Sequence, residues 1–122
     1  MNIGKGINDF MNDLDNVYPV RARPEVEDPY VVYRFSTEYV RAQGSIPIYE
    51  VTLTVDIFGK DFSDFYDKAV EVTAFLEALS GASALGDLTV LVVNFESESE
   101  AEWLSDLEKY SLTQTYQILI EE

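Results

Sequence analysis

Cysteine and histidine are both absent from this 122-residue chain. Without cysteine there can be no disulfide, no thiolate metal site and no sulfur nucleophile. Without histidine the usual general base near neutral pH and the commonest metal ligand are missing. Positive charge is scarce as well, with 8 Lys and Arg against 23 Asp and Glu and a net charge of −15. Nucleic-acid binding depends on neutralising phosphates with Lys and Arg, so a specific nucleic-acid partner is disfavoured. No apolar run reaches the length of a membrane span, and the opening MNIGKGINDF carries no apolar targeting core. The expected setting is therefore soluble and intracellular, and the missing cysteine suits a reducing cytoplasm.

What is present points to a packed domain. The hydrophobic fraction is 47%, with 8 Tyr and 7 Phe, which excludes a disordered polar chain. The length fits one domain, spanning residues 1–122. The charge is uneven along it. Residues 1–44 carry five bases and seven acids, whereas residues 45–122 carry three bases and sixteen acids. Such asymmetry gives one molecule differently charged surfaces.

The apolar periodicity sets the element order. Ile3, Ile7, Phe10, Leu14 and Val17 recur at helical spacing and predict an amphipathic helix over about residues 3–15. The stretch VYPVRARPEVEDPY, with prolines at 19, 24 and 29, predicts an extended loop or arm. YVVYRFST at 30–37 has strand composition with Val31, Tyr33 and Phe35 on one face, and TEYVRAQGSIP reads as a hairpin turn. IYEVTLTVDIF at 48–58 alternates strictly and predicts a strand with one wet face. Past Gly59, apolar positions 62, 65, 66, 69, 72, 76 and 79 trace a helical stripe, with Asp61 or Ser63 as its cap. SGASALGD at 80–87 reads as a loop and LTVLVVNF at 88–95 as a central strand. AEWLSDLEKY predicts one or two helical turns, and SLTQTYQILIEE a last strand with Leu112, Tyr116, Ile118 and Ile120 on one face. The sum is an α+β fold of order α-β-β-α-β-β, with a four-stranded, mainly antiparallel sheet and two helices packed on one face.

Catalytic constellations are missing. Acid pairs abound, but no Ser-His pair or phosphate-binding glycine loop accompanies them, and GKGIND lacks the ending of a P-loop. The expected role is not enzymatic, and no cofactor is expected. Asp61, Asp64 and Asp67 offer hard oxygen ligands, yet spacing by three drifts around a helix, and a solvated helix start explains them better. Phe58, Phe62, Phe65, Tyr66 and Phe75 read as core. Tyr18, Tyr30 and Trp103 flank loops, where amphipathic aromatics anchor interfaces. Arg21, Arg23, Arg34 and Arg41 are half of all the bases and cluster around the proline loop and first hairpin. They are either solubilising charge or the fork that grips a neighbour's carboxylates.

The layout also resembles a known family. The residues that carry it are VYP at 17–19, the charged proline loop, DPYVVYRF at 28–35, and VDIFGKDFSD at 55–64 leading into the FSDFYDKA helix. Together they are similar to the tail terminator, or tail completion, proteins of long-tailed bacteriophages and prophages. That resemblance implies a ring, commonly a hexamer, that caps the tail tube and presents a surface to the head–tail connector. It implies as partners further copies of the chain, the tube protein and the connector, with DNA passing through unbound. It places the protein in the host cytoplasm during assembly and then at the head-proximal end of the tail in the virion. Another head–tail joining or tail-tube protein, or an acidic DNA-mimic inhibitor, is the alternative.

The run NFESESEAEW at 94–103 departs from that pattern by its acidity. If extended, Glu96, Glu98, Glu100 and Glu102 would line one face, because side chains alternate along a strand. Such a row would serve as partner for a neighbour's arginines, as a DNA-repelling wall of a central passage, or only as solvated charge.

Overall fold

The computed structural model describes residues 3–14, 17–19, 28–43, 46–79 and 89–121. Its centre is the alternating segment identified in the sequence. Strand β3 (Ile46–Gly59) buries Val51, Leu53, Val55 and Ile57 and turns Thr52, Thr54 and Asp56 to the other side. It pairs antiparallel with β2 (Tyr30–Gln43) on one side and with β6 (Lys109–Glu121) on the other. Strand β4 (Thr89–Glu98) joins β6 on its far edge, also antiparallel. These four strands are the antiparallel body expected from the sequence.

Two short strands correct that expectation to a mixed six-stranded sheet of order β1-β2-β3-β6-β4, with β5 also on β6. The first is β1 (Val17–Pro19), which runs parallel to β2 through Val17–Val31, Tyr18–Val32 and Pro19–Tyr33. Part of the supposed loop is thus sheet; residues 20–27, with Arg21 and Arg23, lie outside the described residues. The second is β5 (Glu102–Leu104), in the segment read as helical turns. Trp103 stands opposite Tyr110, and the rings meet edge-on at 4.9 Å. A cross-strand aromatic pair outweighs the small helix propensity of so short a stretch. The turn back into β6 places Glu108 at φ 52.

The position of β4 is the second correction. LTVLVVNF reads as central, yet β4 is the last strand of the order. The register shifts between Val90 and Val92 and again between Phe95 and Ser97, leaving Leu91 and Glu96 as extra residues. Such bulges break the two-residue alternation, so consecutive apolar residues need not mean two buried faces. Leu91 is 40% exposed. The first hairpin is also longer than read: β2 and β3 each span 14 residues, and only residues 44 and 45 at its tip lie outside the described ones.

Both helices cover the same face, as expected. Helix α1 (Ile3–Met11) and the turn after it bury Ile3, Ile7, Met11 and Leu14. Helix α2 (Phe62–Glu77) buries Phe65, Ala69, Val72 and Leu76, with Leu79 beyond its end. All belong to one core with Tyr33, Leu53, Tyr116 and Ile120 of the sheet. Phe10 stacks on Phe75 at 4.4 Å, joining the two helices. The opposite sheet face carries polar pairs beside the buried Tyr30, Val32 and Ile48. There Arg34 pairs with Asp56, which also accepts from the Thr113 hydroxyl at 2.6 Å, while Thr52 donates to Gln117 at 3.1 Å.

The switch from β3 to α2 is tight. Asp61 caps the helix, accepting from the Asp64 backbone N–H at 3.0 Å. Helix and strand end approach so closely that a Cβ on Gly59 would lie 2.9 Å from the Phe65 Cβ. Gly59→Ala must therefore push the helix start away from a fully buried phenylalanine. The expected loss is about 1–3 kcal/mol of unfolding free energy, measured by urea titration. A variant as stable as the parent would disprove this packing.

Candidate functional site

Helix α2 carries two apolar stripes where the sheet can cover only one. Phe65, Ala69, Val72 and Leu76 point into the core, while Phe62, Tyr66 and Val70, at spacing of four, are 49%, 50% and 55% exposed. Tyr66 and Val70 of the second stripe share a groove with Phe95 of β4, which is itself 42% exposed. Between helix and strand runs an open groove of about 500 Å³, lined by Tyr66, Ala69, Val70, Thr73, Ala74, Glu77, Phe95 and Glu98. Further along the stripe, Phe62 meets Tyr110 edge-on at 5.1 Å, and Tyr110 in turn meets Trp103.

The floor is polar and fully bonded. Gln114, only 1% exposed, sends its amide to Glu98 Oε1 at 2.8 Å and to Thr73 Oγ1 at 3.1 Å. The Tyr116 hydroxyl donates to Gln114 Oε1 at 2.6 Å, and Thr73 donates to the Ala69 carbonyl at 3.2 Å. Burial pushes the Tyr116 phenol up to about 12, with the carboxylates of Glu77 and Glu98 adding to the rise and the Thr73 hydrogen bond opposing it. Glu98 thus has a structural duty beside the groove, as acceptor for the buried Gln114 amide.

The glutamates do not form one row. Glu96 sits in a bulge, Glu98 shares the helix-side face with its cross-strand partner Gln114, and Glu102 stands opposite Ser111, on the other face. Between them Ser99 binds β6, its N–H to the Thr113 carbonyl at 2.8 Å and its hydroxyl accepting from the Thr113 N–H at 2.9 Å. Strand β4, residue 99 and β5 are therefore one interrupted edge strand, with all four glutamates exposed along it.

The remaining candidates divide by position. Trp103 packs edge-on against Tyr110 and is half exposed. Tyr18 is half-buried in β1. Tyr30, 8% exposed, is a structural residue: its ring stacks on Phe58 at 5.0 Å, and Lys109 lies 4.5 Å above it while pairing with Asp28 at 3.4 Å. Arg34 and Arg41 both belong to β2, at the opposite edge of the sheet from the groove. The Arg34 side chain is 58% exposed. On the same strand Phe35, Tyr39 and Val40 are 37%, 55% and 48% exposed. Among the described residues, the exposed large apolar side chains all lie on these two flanks: β2 on one, and α2, β4, β5 and the turn after β5 on the other.

Sequence reading took Phe62 and Tyr66 as core and passed over Val70 and Phe95. The signal was present: positions 62, 66 and 70 add a second apolar line to a helix whose core stripe already runs through 65, 69, 72 and 76. Among the described residues no group of acids is arranged to hold a metal ion, and no helix is long and apolar enough to cross a membrane.

No protein-family model matches the chain, and no curated protein matches it. The fold is similar to that of a solved chain in a structure titled "Virion of native gene transfer agent (GTA) particle". That likeness has a TM-score of 0.67 at 13% identity and covers 88% of this chain and 80% of the other.

The raised Tyr116 pKa has a defined pH consequence. A phenol whose folded value exceeds its unfolded one, near 10, stabilises the fold fully below that pH and loses the contribution as pH climbs toward about 12. Tyr116→Phe should lower stability at neutral pH, by leaving Gln114 Oε1 without its donor, and should flatten the alkaline decline by about 2 kcal/mol. Urea unfolding of both proteins across pH 9 to about 12 checks this, and parallel alkaline declines would refute it.

Proposed function

We propose that this chain is a structural virion subunit that caps a tail tube as a ring and joins it to the head–tail connector, without enzymatic activity. The carrying observation is the likeness of fold to a chain of a gene transfer agent virion, over nearly nine-tenths of this chain. The tail-terminator-like segments VYP, DPYVVYRF and VDIFGKDFSD all fall on the elements that build that fold.

The surface suits the task. A ring subunit needs two different contact patches on opposite flanks, since head-to-tail contacts close when the rotation permits. The two exposed apolar patches occupy opposite edges of the sheet. Acidic surface left free of contacts would line the central passage, where like charge keeps DNA from binding while it slides. The candidate contact arginines are Arg21, Arg23, Arg34 and Arg41, in the more basic third of the chain.

Mixed with tail tubes of the same particle, the protein should appear in negative-stain micrographs as an annulus on one tube end, and tube growth should stop. Gel shifts at near-physiological salt should show no DNA binding. Tubes with bare ends that keep growing in its presence would overturn the proposal.

A further inference from the structure

We infer that the groove between α2 and β4 is a docking site for a cationic, partly apolar segment of a different protein; this goes beyond the cap reading and does not depend on it. The arginines or lysines of that segment meet Glu77 and Glu98. Along α2 the lining runs from Tyr66 to Glu77, about three turns and about 16 Å, room for about five residues of extended chain. Ala69, Thr73 and Ala74 are small and give the groove its depth. Tyr66, Val70 and Phe95 are its apolar walls.

The charge of the occupant is set by a long run of sequence. Residues 69–108, which supply all of the lining except Tyr66, carry nine acids and no base. Among the lining side chains Glu77 and Glu98 are the charged ones, and both are negative. No base pairs with either among the described residues, where the ion pairs engage Asp28, Asp56 and Glu71 instead. Glu77 also stands at the unfavourable end of its helix. It is the last residue of α2, whose last turn carries no base, so it lies at the negative pole of the helix dipole. Glu98 is held by the Gln114 amide at 2.8 Å. Burial raises the Tyr116 phenol first, and both carboxylates add to the rise, so both act at that one hydroxyl. A cation entering there relieves the repulsion between two carboxylates and complements the helix pole. Tyr66 and Phe95 add to the attraction, because aromatic faces favour cations, a guanidinium above all.

A second copy of this chain is poorly equipped to supply that cation. Five of its bases have described side chains, and Arg34, Lys60, Lys68 and Lys109 already pair with carboxylates of their own chain. Each copy also brings a net charge of −15, and like charges across an interface are costly. A metal ion is no better suited, because no acids among the described residues are grouped to hold one. The apolar walls call for carbon as well as charge. The stem of an arginine or lysine, with an apolar neighbour beside it, supplies both.

Amide shifts of the isotope-labelled full chain, titrated with three pentapeptides, test the site. One peptide alternates leucine and arginine, one leucine and glutamate, and one serine and arginine. The leucine–arginine peptide should bind about tenfold more tightly than either control, with shifts centred on Val70, Thr73, Glu77, Phe95 and Glu98. Glu77→Gln should weaken it about fivefold. Val70→Arg, which sets a cation of the chain's own at a position 55% exposed beside the groove, should weaken it further. Both substitutions are at exposed positions and keep the fold. Equal binding of the serine–arginine peptide would reduce the site to acidic surface, and equal binding of the leucine–glutamate peptide to bare apolar surface; either overturns the inference. Unchanged affinity in both variants overturns it too, as does the lack of any groove shift up to about 1 mM peptide. Groove shifts that grow with protein concentration alone would make a second copy the occupant. Phenethylamine bound as tightly as the peptide would make this a small-amine site and overturn the protein partner.

Discussion

In the register that sets Val51 against Ile118, Leu53 against Tyr116 and Ile57 against Leu112, every second residue of the two central strands faces the helices. A slip of one residue would turn both apolar sets to water and the threonine face to the core. Burial on one face therefore fixes this pairing more firmly than any hydrogen bond does. The other elements take their places from it. β2 and β4 add to the outer edges of β3 and β6, and α1 and α2 lie on the face the alternation has made apolar. The arrangement also fixes the heights at which Phe35 and Phe95 emerge, because each is tied through one cross-strand partner to the central pair.

One consequence of that register is a buried polar side chain. Gln114 faces the core opposite Val55, at a position where every neighbour in the alternation is apolar or aromatic. An amide buried without partners costs on the order of 1–3 kcal/mol, so its donors and acceptor need satisfaction from the elements above it. Thr73 and the Ala69 carbonyl come from α2, Tyr116 from β6 and Glu98 from β4. The network ties the helix to both strands and holds Glu98 beside the groove. A carboxylate that the sequence suggests as free surface charge is thus part of the packing, and the groove owes its shape to the same bonds.

Elements with one clear period were legible in the sequence. β3, the core stripe of α2 and the Leu112–Ile120 face of β6 follow from alternation or helical spacing alone, and of the two cap candidates, Asp61 and Ser63, the structure selects Asp61. The failures share a cause, which is that tertiary pairing decided what local pattern left open. β4 has the composition of a central strand, but two bulges hide where its alternation breaks. Glu102–Leu104 has no strand pattern long enough to detect, and only Tyr110 across the turn makes it one. Phe62 and Tyr66 look like core because aromatics usually are, yet they lie off the stripe of Phe65, Ala69, Val72 and Leu76 that meets the sheet. For the groove, the acidic side was legible as composition but not as place. The alternating glutamates form no single row, since a bulge and the step at residue 99 send them to different faces.

The net charge of −15 sets a condition on any contact between copies. At physiological ionic strength the Debye length is about 8 Å, so charges distributed over the whole domain are largely screened at contact distances between centres. Charges brought together inside a contact are not. Local complementarity therefore decides the orientation of approach, even between two molecules that repel overall. The scarcity of bases sharpens this: with 8 in the chain and five of them before residue 45, few orientations can present positive charge to an acidic edge. Affinity has to come from elsewhere, because exposed ion pairs contribute little. Half-exposed aromatic side chains are the surface best suited to supply it, since their burial removes apolar area from water without the desolvation cost of charge. Acidity elsewhere on the surface disfavours any orientation that sets one copy's carboxylates against another's.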